Sequence, residues 1–207
     1  MRLAFPIMLG MLSQSVLNLI DAALIGHLGQ EALAGVGIGG YAMFMMTALV
    51  FGLSSSVQSQ TAHASGVEKA CTDQPFTTQP LRAGLMISLA IGLPLSCLAW
   101  WQAPALIQLI APSKEVTQIA LEYFRWRVVA LTVIALTLCL RGYWNGLQQT
   151  HLYLRIIVFV HVVNVALSAA LIYGVGWLPA LGVNGAAIGT TLSLLLGLFI
   201  WAVITWR

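Results

Sequence analysis

Residues 183–206 read VNGAAIGTTLSLLLGLFIWAVITW, and this stretch decides the fold. It contains no Asp, Glu, Lys or Arg. Crossing a bilayer as a helix takes about 20 mostly apolar residues, and the stretch has that length. Moving outward along the chain, the same reading places further spans at residues 3–28, 33–62, 81–110, 116–140 and 152–174. The breakers between them are Gly29, Gly66 to Pro80, Ala111-Pro112-Ser113, Gly142 to Thr150, and Gly174 to Gly182 with Pro179. The whole composition agrees. Of 207 residues, 59% are hydrophobic and 7% charged, whereas soluble domains carry roughly 25% charged residues. No segment has the alternating pattern of an outer-membrane strand. The expected fold is an all-α polytopic membrane protein, a six-transmembrane-helix bundle forming one domain over residues 1–207.

Loop charges give an expected orientation. Arg2, Lys69, Arg82, Arg141, Arg155 and Arg207 fall on one side of the threading, and Lys114 alone on the other. Both termini are then cytoplasmic and the membrane is a bacterial inner membrane. Arg125 and Arg127 lie inside the fourth span, to snorkel or to face a wet cavity. Residues 1–15 carry one basic residue and no small-residue cleavage site, so they read as the first span rather than a signal peptide. The longest loop, residues 63–80, reads as a cytoplasmic linker holding Glu68, Lys69 and Asp73. The net charge is +3 with its basic residues scattered, which leaves no footprint for nucleic acid. Cys71, Cys97 and Cys139 have no metal-ligand spacing and read as packing thiols.

Ionisable and amide groups inside a span are costly and mark candidate sites. Gly10, Gln14, Asn18 and Asp21 fall on one face of the first helix. The plainer alternative ends that helix near Ile20 and leaves Asp21 at the interface. The fifth span repeats the pattern with His161, Asn164 and Ser168 at i, i+3 and i+7; interhelical hydrogen bonding alone would also explain it. With Thr190 of the sixth span, the oxygens of Asp21, Asn164 and Ser168 are expected at one depth as a proton or sodium site. Gln14, Asn18, Gln58, Asn145 and His161 are expected to line a cavity. Gly35, Gly37, Gly39 and Gly40 offer close packing or a cavity wall. Glu122 and Arg125 are three residues apart and expected to pair on one helix. Met and Phe side chains suit a pliable binding surface.

At these residues the chain resembles the multidrug and toxic-compound extrusion family. Leu3-Ala4-Phe5-Pro6 is similar to the proline-bearing start of that family's first helix. Asn18-Leu19-Ile20-Asp21 and Ile25-Gly26-His27-Leu28-Gly29 resemble its Asp motif and following turn. Leu140 to Thr150 resembles the loop after its fourth helix, and Gly182 to Thr190 the start of its sixth. The resemblance implies one six-helix lobe of a twelve-helix antiporter. Such a protein exports organic cations and other amphipathic small molecules in exchange for protons or sodium. It implies a second lobe, supplied by a missing C-terminal half or another chain. No organic cofactor is expected, and no metal beyond a sodium ion at the coupling site. Pro6 becomes the candidate bending point. Where some members have a second carboxylate, this chain has Ser168, so protons are the favoured coupling ion. Two rivals remain. One is a truncated, transport-inactive fragment. The other is an intramembrane serine protease around Gly52-Leu53-Ser54-Ser55, for which the sixth span lacks a histidine.

Overall fold

The computed structural model describes residues 4–70, 78–175 and 179–206. Seven helices account for nearly all of them: α1 (Ala4–Gly26), α2 (Gln30–Ala70), α3 (Gln79–Ile110), α4 (Lys114–Val128), α5 (Leu131–Gly146), α6 (Thr150–Tyr173) and α7 (Val183–Trp206). Five are individually long and apolar enough to cross a membrane. The α4–α5 pair makes a sixth span, bent by 46°. The expected continuous helix over residues 116–140 is therefore corrected to a broken one.

Neither glycine nor proline causes that break. The amides of Val129 and Ala130 both turn back to the Arg127 carbonyl. The Val128 carbonyl then points to α3, where Ser96 Oγ donates to it at 2.6 Å. In lipid an unpaired carbonyl costs several kcal/mol, so a side chain on a neighbouring helix stabilises the irregular backbone. Ser96→Ala is expected to destabilise the lobe by about 1–3 kcal/mol, read as a lower thermal midpoint in detergent. An unchanged midpoint would mean that the break is held elsewhere.

Two further boundaries differ from the sequence reading. The second helix runs to Ala70 rather than ending near residue 62. The expected linker is correspondingly shorter, and Asp73 and Cys71 lie outside the described residues. The fourth span continues to Gly146, so Arg141 sits on α5, its guanidinium 5.4 Å from the Tyr153 ring, not in a loop.

Glycine pairs four residues apart explain why α5 stays helical there. A Cβ on Gly142 would strike the Ser54 carbonyl of α2, and one on Gly146 would lie 2.8 Å from the Gln58 carbonyl and Thr61 Cβ. Gly185 and Gly189 of α7 meet the α6 backbone at Leu171 and Ser168 in the same way. Gly35 and Gly39 of α2 fit against Ile119 and Tyr123 of α4. Hydrophobicity does not hold helices together in lipid, so this close backbone approach supplies much of the association. Of the expected glycine stripe on α2, Gly37 and Gly40 meet nothing. The turn into α2 does require glycine, since Gly29 has φ +116°.

The main apolar core joins α2, α3, α4 and α5 through Met43, Val50, Ile107, Phe124 and Leu131. Helix α1 packs chiefly on α6 and lightly on α2.

Candidate functional site: polar groups of α1, α6 and α7

Helix α1 begins at Ala4, which puts Pro6 in its first turn. The first amides of a helix have no intrahelical acceptor, so the proline ring costs no bond there. Pro6 is buried, and α1 runs unbroken to Gly26.

Along α1, Ser13 Oγ lies 2.7 Å from His161 Nδ1, and His161 Nε2 lies 3.2 Å from Gln14 Oε1. Gln14 Nε2 in turn donates to Asn18 Oδ1 at 3.1 Å. One protonation pattern satisfies all four groups. The neutral imidazole donates from Nε2 to the Gln14 carbonyl and accepts the Ser13 hydroxyl proton at Nδ1. His161 is buried, whereas Gln14 and Asn18 lie on the open face of α1. His161 thus clips α1 to α6 rather than lining a cavity, which corrects the expectation for that residue.

Between α6 and α7, Asn164 Nδ2 donates to Ser193 Oγ at 2.9 Å. Ser193 Oγ donates to the Thr190 carbonyl at 2.9 Å, and Ser168 Oγ approaches Asn164 Oδ1 at 3.5 Å. All three polar side chains are almost fully buried. The Thr190 hydroxyl itself bonds back to the Ala186 carbonyl at 2.9 Å. Ser193 is a member that the sequence reading missed. Its one signal is its place a turn beyond Thr190.

Asp21 stands apart from this cluster. It is half-buried, and its Oδ1 is buried without a hydrogen-bond partner. The charge that acts on it is the Arg127 guanidinium of α4, which lies 5.9 Å from the Tyr123 ring and whose Nε also lacks a partner. At about 1.5 Å per residue, Asp21 and Ser168 each lie about 7 Å from the ends of α1 and α6. Thr190 lies about 10 Å from the start of α7. No hydrogen bond among the described residues joins Asp21 to Asn164, Ser168 or Thr190. The expected single site is two neighbouring groups.

Other candidates lie elsewhere. Gln58 and Asn145 sit near the opposite end of the bundle, where α2 meets α5; Asn145 Oδ1 is buried without a partner. Glu122 accepts bonds from Gln118 at 2.7 Å and Asn184 at 3.1 Å, and Arg125 stacks 5.2 Å from the Trp100 ring. The expected Glu122–Arg125 pair is replaced by these separate contacts. Ser54 is buried against Gly142, and His161 bonds Ser13, so the protease arrangement does not assemble. Among the described residues, no group of His, Cys, Asp and Glu could hold a metal. A cavity of about 420 Å³ is mostly apolar, with Met46, Leu49, Leu98 and Phe124 in its lining.

The sequence matches the MatE family over residues 6–170. The chain belongs to the MatE family. The "Probable multidrug resistance protein NorM" of Bradyrhizobium diazoefficiens is 34% identical over 212 residues, covering 100% of this chain and 44% of that protein. The "Multidrug resistance protein PmpM" of Pseudomonas aeruginosa is 29% identical, covering 97% of this chain and 42% of that protein. Among solved structures, a MATE crystal structure in complex with MaD5 superposes with TM-score 0.86 at 26% identity, over 98% of this chain and 44% of the other. The outward-facing conformation of a multidrug resistance MATE family transporter gives TM-score 0.85 at 27% identity, over 97% and 43%. The chain therefore spans less than half the length of these relatives. The MatE fold and its apolar helices make it a multi-pass membrane protein.

Proposed function

We propose that the chain forms the N-terminal lobe of a secondary antiporter that exports drugs and organic cations, with Asp21 as the coupling carboxylate. One observation carries this reading: Asp21 lies inside a span with a buried, unpartnered oxygen, on the helix whose open face presents Gln14 and Asn18. A carboxylate so placed needs a proton, a cation or water. The neighbouring Arg127 charge and the neutral Ser168 favour a proton over sodium, because no second carboxylate offsets the arginine. The open face of α1 is where a second lobe would close a substrate cavity.

Drug flux into proteoliposomes tests this, with the chain alone and with a C-terminal lobe supplied as a separate polypeptide. A pH gradient is expected to drive flux, and a sodium gradient is not. Absence of flux under both gradients in both preparations would favour the inactive-fragment reading.

Orientation is tested separately. Reporter fusions after Gly29 are expected to read the periplasm and fusions after Gly66 the cytoplasm, following the loop charges. The opposite readings would invert the proposed direction of transport.

The α6–α7 cluster makes a graded prediction. Asn164 both donates to Ser193 and accepts from Ser168, whereas the Ser168 hydroxyl can be replaced by water. Asn164→Ala is expected to weaken coupling-ion affinity more than Ser168→Ala does, measured as the ion dependence of drug flux. Equal effects would count against a site at Asn164.

A further inference from the structure

A second polar feature lies away from α1. A crevice of about 300 Å³ between α3 and α4 is lined by Trp100, Glu122, Arg125, Trp126 and Val129. Its rim is exposed: Trp100 and Trp126 are each 49% accessible and Val129 58%. Helix α3 packs on α5, α2 and α4, whereas α1 packs mainly on α6. The crevice thus lies on a face of the bundle formed by α3 and α4, which pack on α2, α5 and α7 rather than on α1.

We propose that this crevice binds the headgroup of a zwitterionic aminophospholipid, with Arg125 taking the phosphate and Glu122 the ammonium. The volume equals about ten waters at about 30 Å³ each, enough for a phosphate joined to a two-carbon amine. Arg125 stacks on Trp100 at 5.2 Å, and its Nε is buried without a partner in the chain. A guanidinium so fixed presents its donor fork to an oxyanion. Glu122 Oε1 and Oε2 each accept one amide bond, from Gln118 and Asn184. A carboxylate has about four acceptor sites, so two remain for N–H donors.

The two charges lie three residues apart on α4, with Cβ atoms about 5–6 Å apart, comparable with the phosphate-to-amine spacing across two carbons. Glu122 disfavours a purely anionic headgroup. Arg125 already covers the Trp100 face, which leaves no paired aromatic cage for a quaternary ammonium. A primary ammonium fits both constraints.

Depth agrees. Helix α3 has 32 residues, about 48 Å at about 1.5 Å per residue, against a hydrocarbon core of about 30 Å. Trp100 is then about 15 Å from the Ile110 end and about 6 Å inside the hydrocarbon boundary. A long arginine side chain reaches the headgroup level from that depth, and tryptophans concentrate at it.

The test measures lipid retention by the purified chain in native mass spectrometry. The probes are phosphatidylethanolamine, phosphatidylglycerol and phosphatidylcholine with identical acyl chains. Phosphatidylethanolamine is expected to be retained roughly tenfold better than either other lipid. Glu122→Gln is expected to remove its advantage over phosphatidylglycerol. Arg125→Gln is expected to reduce all three lipids to the level of neutral diacylglycerol. Arg125→Lys, which keeps the charge, is expected to recover part of the retention, a pattern that misfolding would not give. Equal retention of the three lipids by the unmodified chain would overturn the proposal. So would unchanged retention in Arg125→Gln. Displacement of the lipid by millimolar inorganic phosphate would also overturn it, because the site would then serve a free anion.

Discussion

Replacing Asp21 with asparagine is expected to abolish drug-driven proton release while the protein stays inserted in the membrane. Asparagine matches the protonated acid in size and cannot release a proton. Drug-driven proton release should therefore fall to the level of protein-free liposomes. Arg127 adds a second expectation. Its charge acts on Asp21, and asparagine leaves that half-buried cation without its counter-charge. A nearby opposite charge favours the charged form of a half-buried cation, so Asp21→Asn should lower the thermal midpoint modestly. Adding Arg127→Gln to Asp21→Asn should restore the midpoint without restoring proton release. That separation distinguishes a coupling carboxylate from a structural one. Unchanged proton release in the single variant, within an assembly shown to transport, would remove Asp21 from the mechanism.

The second large effect is expected at Gly142. A Cβ there meets the Ser54 carbonyl, a backbone atom that cannot swing aside. Gly142→Val must push α5 away from α2 along the seam that Gly146 continues. Overpacking costs about 1–3 kcal/mol and occasionally more. Here the upper end applies, because an entire helix pair must separate. At about 2–4 °C per kcal/mol, the thermal midpoint should fall by roughly 6–12 °C. Gly37→Ala is the matched control. Nothing lies near its Cβ position, and alanine favours helix by about 1 kcal/mol, so stability should hold or rise. Equal losses in both variants would show that general helix strain, rather than the Ser54 contact, sets the effect.

The spans were legible because lipid leaves so little choice: each apolar run must close its own backbone hydrogen bonds. The break at Val129–Ala130 was not legible. Residues 116–140 carry no glycine or proline to mark it, and the hydroxyl that donates to the Val128 carbonyl lies on another helix. The turn after the fourth span was misplaced for a related reason. Gly142 and Gly146 look like breakers locally, but they are contact points against α2. Within the candidate site, the stripes on α1 and α6 were readable from helical spacing. Their pairing was not, because which stripe bonds which depends on how α1 rotates against α6. Ser193 gave almost no signal, being one serine in an apolar helix. Arg127 was visible as a charge inside a span, but its effect on Asp21 depends on the tertiary arrangement of the helices, which helical spacing does not give.

The bent span also constrains how the protein is made. Helix α4 carries Lys114, Glu115, Glu122, Arg125 and Arg127 within 15 residues, a load that disfavours its partition into lipid as an isolated segment. It enters as part of a span with the apolar α5, and its stabilising contacts come largely from earlier helices. Gly35 and Gly39 of α2, Trp100 and the Ser96 hydroxyl of α3 all precede it in the chain. They are synthesised, and can be inserted, before α4 leaves the ribosome. Asn184 and Thr191 of α7, which bond Glu122 and the Trp126 carbonyl, follow it in the chain. Biogenesis thus has a direction written into the packing: α2 and α3 form a receptor, the charged α4 docks against it, and α7 then locks the docked segment in place.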